Sequence, residues 1–333
     1  GGMGVFPTVV TDTDFTRVRR ALLRQGEGDR VPLFEISIHP DIKAALLERP
    51  IQGPEDEVQF WRRAGYDFVS IRAGVRSVVR GNHPLVKEWL RTRYGTEYGG
   101  HGSWVGEESA IIRSREDLTA FPWPRAEDLG GYKDYGRLDE YLKRMAHCLP
   151  DSMKLLVQLG YIFMGAWQMM GFEHFCLSLV DDPEMVEGII GKLGSLQLQV
   201  LEILLQYDCV GVIWLPDDLC GNTGPVVSPR VYQKYVYPWY VRIVERCHQA
   251  GLPVGLHSDG DLNPILADLV ACGFDGIHPF EPPVNDVVSV KSRWGSRVAI
   301  AGGVDLRRTL CAGRPEDVET EVRALATALG TRE

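Results

Sequence analysis

Val210-Gly211-Val212-Ile213-Trp214-Leu215-Pro216-Asp217-Asp218 is an apolar run that ends abruptly in two carboxylates. A strand buried on both faces reads as a continuous apolar stretch, and polar groups just past its C-terminal end are where parallel α/β enzymes carry their chemistry. Working outward, the same grammar recurs: residues 31–38, 68–73, 154–160, 253–258, 276–280 and 297–303 are short β-rich runs, each followed by a loop. Helical stretches are expected at 53–64, 185–206, 229–250, 263–271 and 315–328. Strand, loop, helix repeated is the signature of parallel βα units. Ser228-Pro229 and Arg314-Pro315 mark two helix starts, where the missing proline N–H costs nothing.

The expected fold is therefore a TIM-type (β/α)8 barrel forming a single domain over residues 1–333. Seven strands are found where eight close the barrel, so the last βα unit is expected to be missing from this chain, or the gap covered by the N-terminal segment or a neighbouring chain. An open gap would leave two unpaired edges. Residues 89–113, with Tyr94-Gly95-Thr96-Glu97-Tyr98-Gly99-Gly100, read as a hairpin inserted over the barrel mouth. Phe121-Pro122-Trp123-Pro124 then leads into a helix over 138–148.

Bulk chemistry narrows the function. The 36 Lys and Arg against 45 Asp and Glu leave a net charge of −9 without a basic cluster, which disfavours nucleic acid and anionic membranes and points to a small-molecule substrate. Seven scattered cysteines without a C-x-x-C pair argue against a disulfide framework or zinc ribbon, and most are expected to be buried thiols. No apolar run approaches the ~20 residues of a spanning helix, so a cytoplasmic location is expected. A homodimer stays open.

The strand ends are rich in acids. Glu35 and His39 end the first run and Arg72 the second, Tyr161 follows the third, and Trp214, Asp217 and Asp218 close the fourth. The fifth ends in His257-Ser258-Asp259-Gly260-Asp261 and the sixth in His278-Pro279-Phe280-Glu281-Pro282. His257 and Asp259, two apart on a strand, share a face and make half a metal site, with Glu281, Asp217 or Glu35 as the third ligand. Imidazole with carboxylates suits zinc or another first-row divalent ion. The plainer alternative is that His257 bonds a neighbouring carboxylate while Asp259 caps a turn. Asp217, Asp218, Glu281 and Tyr161 are the catalytic candidates, and an aspartate buried among carboxylates would have a raised pKa. Glu35, His39, Arg72, Trp214 and His278 are expected to line the substrate, although aromatics here are more often core and His278 more often a packing residue. Gly302-Gly303 lacks the flanking pattern of a dinucleotide fingerprint.

Taken together, Asp29-Arg30-Val31-Pro32, Asp217-Asp218, Ser228-Pro229-Arg230-Val231-Tyr232, His257-Ser258-Asp259-Gly260-Asp261 and Gly302-Gly303-Val304-Asp305 resemble the uroporphyrinogen decarboxylase superfamily, which includes corrinoid-linked, zinc-dependent methyltransferases. That resemblance implies a TIM barrel. The decarboxylases carry an arginine-bearing loop after strand one and an aspartate after strand two. This chain departs at both, with Glu35-Ile36-Ser37-Ile38-His39 and Ile71-Arg72-Ala73-Gly74. The methyltransferase branch implies a zinc ligand at His257, with Asp259 where that branch has cysteine and the last ligand's region missing, hence a harder metal site. The resemblance thus implies a methyltransferase moving a methyl group between a small methylated substrate and a corrinoid protein or thiol. A decarboxylase-type lyase and a non-catalytic, ligand-binding barrel remain the alternatives.

Overall fold

A computed structural model of the chain describes residues 12–26, 28–95, 110–130 and 136–330. Its centre is a parallel sheet of six strands: β1 (Phe68–Arg72), β2 (Lys154–Gln158), β3 (Val210–Pro216), β6 (Val254–His257), β7 (Gly276–His278) and β8 (Ala299–Ile300). They neighbour one another in the order β1-β2-β3-β6-β7-β8, which is chain order. A two-residue antiparallel pair, β4 (Cys220–Gly221) and β5 (Gly224–Pro225), interrupts the series just after β3. Every crossover in the parallel series contains helix, as βα geometry demands. The result is a TIM-barrel-like α/β fold, with no closed barrel among the described residues.

Side-chain volume explains why these strands sit together. Trp214 on β3 is wholly buried in the middle of the sheet. A Cβ at Gly255 on β6 would fall 2.1 Å from its ring, and one at Gly276 on β7 would fall 3.2 Å from it. The two glycines make the room that one indole fills, which is how a barrel interior is packed solid. At the N-terminal end of the strands the helix Phe15–Leu22 acts as a plug, burying Val18 and Leu22. A Cβ at Gly211 would lie 2.5 Å from the Phe15 ring. Arg17 bridges Asp29 and the buried Asp67, and Arg30 reaches Asp67 as well, so the Asp29-Arg30 motif anchors this plug.

The run at 31–38 differs from expectation. It follows β1 in direction, with the Phe34 ring packed at a tilt against Phe68, Ser70 Oγ donating to the Ile36 carbonyl, and Arg72 Nη2 donating to Ser37 Oγ, but it forms no strand. The reason is local. Pro32 has no N–H, and the Glu35 carboxylate accepts from the Ile36 and Ser37 amides at 2.7 and 3.3 Å, so those donors are spent on a side chain instead of a ladder. The Gln158 amide donates to the Ile36 carbonyl at 2.6 Å, pinning the segment against the sheet.

Helices over Pro54–Arg63, Leu138–Cys148, Pro183–Leu204 and Pro315–Leu329 agree with expectation within two residues. The stretch at 229–250 is broken by a π-helical turn at Tyr232–Val236, because Pro238 cannot donate to the carbonyl four residues back. Of the hairpin expected at 89–113, residues 89–94 belong to the helix Pro84–Tyr94, and 96–109 lie outside the described residues. Cys220, Cys247 and Cys272 are buried, Cys148, Cys176 and Cys209 are half-buried and Cys311 is exposed. No helix among the described residues is long and apolar enough to cross a membrane.

Candidate metal centre and barrel mouth

The C-terminal ends of β3, β6 and β7 converge. His257 is paired in register with Pro216 on one side and His278 on the other. Its Nε2 lies 3.7 Å from Asp218 Oδ1 and 3.5 Å from Asp259 Oδ1. One ligand atom from each of the three residues falls within 4.8 Å of the others. The loops around them are fixed by backbone bonds. The Asp259 amide donates to Asp218 Oδ1 at 3.1 Å, Ser258 Oγ accepts from the Leu219 amide, and the Asp261 amide donates to the Gly221 carbonyl. Gly260, at φ 87°, lets this loop press onto β4, since a Cβ there would sit 2.6 Å from the Gly221 carbonyl oxygen.

His278 supports His257 from behind. The two Nδ1 atoms are 2.9 Å apart, so one ring donates and the other accepts. His278 is buried, with the Phe34 ring packed on it, and burial followed by the neighbouring His257 pushes its pKa well down. A neutral His278 that accepts at Nδ1 fixes His257 as the Nδ1–H tautomer, leaving its Nε2 lone pair facing Asp218 and Asp259. Partial desolvation raises the pKa of Asp259, whose side chain is 54% exposed, while His257 lowers it and Asp218 raises it again. Glu35 faces the same charges: burial raises its carboxyl pKa, the Ile36 and Ser37 amides and His257 lower it, and Asp259 raises it.

The remaining candidates separate into two groups. Asp217 is turned away from the mouth: its oxygens accept from the Ile162, Phe163 and Met164 amides at the start of the helix Phe163–Met170, and from the Tyr240 hydroxyl at 2.7 Å. Burial pushes its pKa up to about 6 against those four donors. It caps a helix instead of meeting a substrate. Trp214 is likewise core and not a substrate wall. His39 caps the helix Pro40–Leu47 through Nδ1 and is largely exposed. Glu281 is held near the Gly260 amide at 3.5 Å, outside the three-residue cluster, and Asp218 takes the place foreseen for it. Tyr161 and Arg72 do sit at the strand ends, in company with a residue the sequence did not single out, Arg80. Arg80 falls in a helical turn whose spacing matches no motif, so nothing short of the fold reveals it.

Comparison with known proteins agrees with this architecture. The family model for uroporphyrinogen decarboxylase (URO-D) matches residues 108–332. Thirteen solved chains match; one, a methyltransferase from Methanosarcina mazei, is 15% identical, with a TM-score of 0.63 over 95% of this chain and 90% of that one. No curated protein sequence matches. At that identity the structural likeness speaks to the fold, whereas the family model covers most of the chain, from the approach to β2 through the final helix. By that match, the chain belongs to the uroporphyrinogen decarboxylase (URO-D) family.

Proposed function

We propose that the protein is a metal-assisted methyltransferase, moving a methyl group between a small methylated substrate and a corrinoid protein or a thiol. The observation that carries this reading is the Asp218, His257 and Asp259 cluster, with ligand atoms within 4.8 Å of one another and His257 oriented by His278. One imidazole and two carboxylates fit a divalent ion: three donors, partly open to solvent, leave a position for substrate, and an N,O set suits zinc or a harder first-row ion. When bound, such an ion supplies Lewis-acid polarisation of the atom that carries the methyl group.

The chain's own residues do the rest. Asp218 is pre-aimed by the Asp259 amide, and His257 by His278, so the donors need little reorganisation. As the bond between oxygen and methyl carbon breaks, its electron pair stays on oxygen, and the acceptor nucleophile forms the new bond to carbon. Glu35, kept protonated by burial to higher pH than an ordinary carboxyl, holds a proton for that oxygen. The test is metal content by mass spectrometry after loading with zinc, manganese or iron(II). Wild type is expected to retain about one ion per chain, weakening on acidification as the ligands protonate, and His257→Ala to retain none. Full occupancy in His257→Ala would refute the ligand assignment; none in wild type would favour the metal-free lyase.

A further inference from the structure

Arg80 ends the helical turn Val75–Val79 that follows β1. It is half-buried, and its Nε is sealed from solvent with no hydrogen-bond partner among the described residues. Among the described residues it makes no ion pair, in a chain holding 45 carboxylates. Other arginines packed against the body behave differently: Arg17 bridges Asp29 and Asp67, and Arg93 bridges Glu116 and Asp117. Leaving a guanidinium partly desolvated and unpaired is costly, and natural proteins keep such a cost where a ligand removes it.

Its surroundings indicate the ligand. Arg80 lies close enough to Arg72 and Tyr161 to interact with them electrostatically: burial lowers its pKa, Tyr161 opposes this, and the Arg72 charge lowers it further. Arg72 stands at the C-terminal end of β1, the end of the sheet at which His257 closes β6, held by Ser37, and Arg80 ends the helical turn that follows it. In the sheet, β2 and β3 separate β1 from β6 and His257. Tyr161 belongs to the same corner: a Cβ on Gly165 would touch both the Tyr161 Cβ and the Val79 side chain at 3.4 Å.

We propose that Arg80, together with Arg72 and Tyr161, forms a carboxylate-binding subsite, so that the methylated substrate carries one carboxylate placed away from the His257 cluster. This rests on the methyltransferase reading for what lies at the other end. A carboxylate accepts bidentate bonds from guanidinium and a further bond from a phenol. A single negative charge is preferred to a dianion, because Glu35, Asp218, Asp259 and Glu281 already crowd the mouth with negative charge. Two arginines match one carboxylate and fall far short of an octacarboxylate.

The test uses two acid and amide pairs of near-equal shape, 4-methoxybenzoate with 4-methoxybenzamide and methoxyacetate with methoxyacetamide, titrated calorimetrically into the full chain. In at least one pair the acid is expected to bind about tenfold or more tighter than its amide, the worth of a charge-assisted pair. Arg80→Gln should erase that preference while melting at or above the wild-type temperature, and Arg80→Lys should keep part of it. No preference in either pair overturns the proposal, as does an Arg80→Gln variant that keeps the preference. Inorganic phosphate displacing the acid at equal concentration would overturn the carboxylate assignment. Metal content of the same samples separates the two readings. Acid preference without metal leaves the subsite standing and removes the metal-assisted reaction, and metal without acid preference does the reverse.

Discussion

Asp217 and Asp218 are neighbours in sequence with opposite fates. One is sealed under a helix start with four donors on it, and the other is turned to the mouth beside His257. Asp217→Ala would strand three backbone amides and a tyrosine hydroxyl in the core. Denaturant unfolding is expected to show a loss of about 3 kcal/mol or more, and a loss under 1 kcal/mol would contradict the capping role. Its pH dependence has a defined sign. With the folded pKa raised to about 6 from 3.8, the protonated carboxyl favours the folded state. That contribution is fully present below about pH 3.8 and lost as pH rises through about 6, on the order of 3 kcal/mol. Asp217→Asn, which does not titrate, should therefore gain on wild type in stability between pH 4 and pH 7, as thermal melts at matched ionic strength would reveal. His278 acts at one remove. His278→Ala frees the His257 tautomer, and zinc affinity is expected to fall about 10–100-fold with the fold intact; unchanged affinity would make His278 a packing residue only.

At the scale of elements, β3, β6 and β7 are matched through one indole and two glycines. Gly255→Ala pushes a methyl into Trp214, and overpacking of this kind costs about 1–3 kcal/mol. The double variant with Trp214→Leu should recover part of that loss, a coupling that chemical denaturation of the four proteins in the cycle would measure. Additive losses would mean that the strands move apart instead. The segment at 31–38 is another such element, held by Ser70 and Gln158 through a single carbonyl and carrying Ser37 to Arg72 and Glu35 to where the His257 and Asp259 charges act on it.

The whole molecule carries a net charge of −9 and gathers acids at the barrel mouth, which bears on what it can accept. A tetrapyrrole with eight carboxylates would meet Glu35, Asp218, Asp259 and Glu281, a set of negative charges that Arg72 and Arg80 fall well short of compensating. Uroporphyrinogen is expected to lose no carboxyl group above background, even at high enzyme concentration, as chromatography of the porphyrin products would show. Coproporphyrin accumulating with turnover would return the chain to the decarboxylases of its family. Exposed Val31, Leu33, Leu306 and Leu310 belong to the first and last segments of the series, between which the sheet is not closed among the described residues.

Periodicity and strand-end chemistry, both local properties, were legible in the sequence. Apolar runs of strand length separated by helices determined the parallel α/β fold, and the His257-x-Asp259 spacing at a strand end determined where a metal would be sought, although the strand stops at His257 and Asp259 lies in the loop that follows. Tertiary structure alone decided which carboxylate completes that cluster. Adjacent residues past a strand end turn to different sides, and only the packed helix Phe163–Met170, waiting with unsatisfied amides, selects Asp217 for the core and leaves Asp218 to the site. It likewise decided that residues 31–38 lie along the sheet without joining it, because Glu35 captures the amides a ladder would use, and that the Arg80 Nε has no hydrogen-bond partner among the described residues, since the absence of a contact is a property of the folded chain.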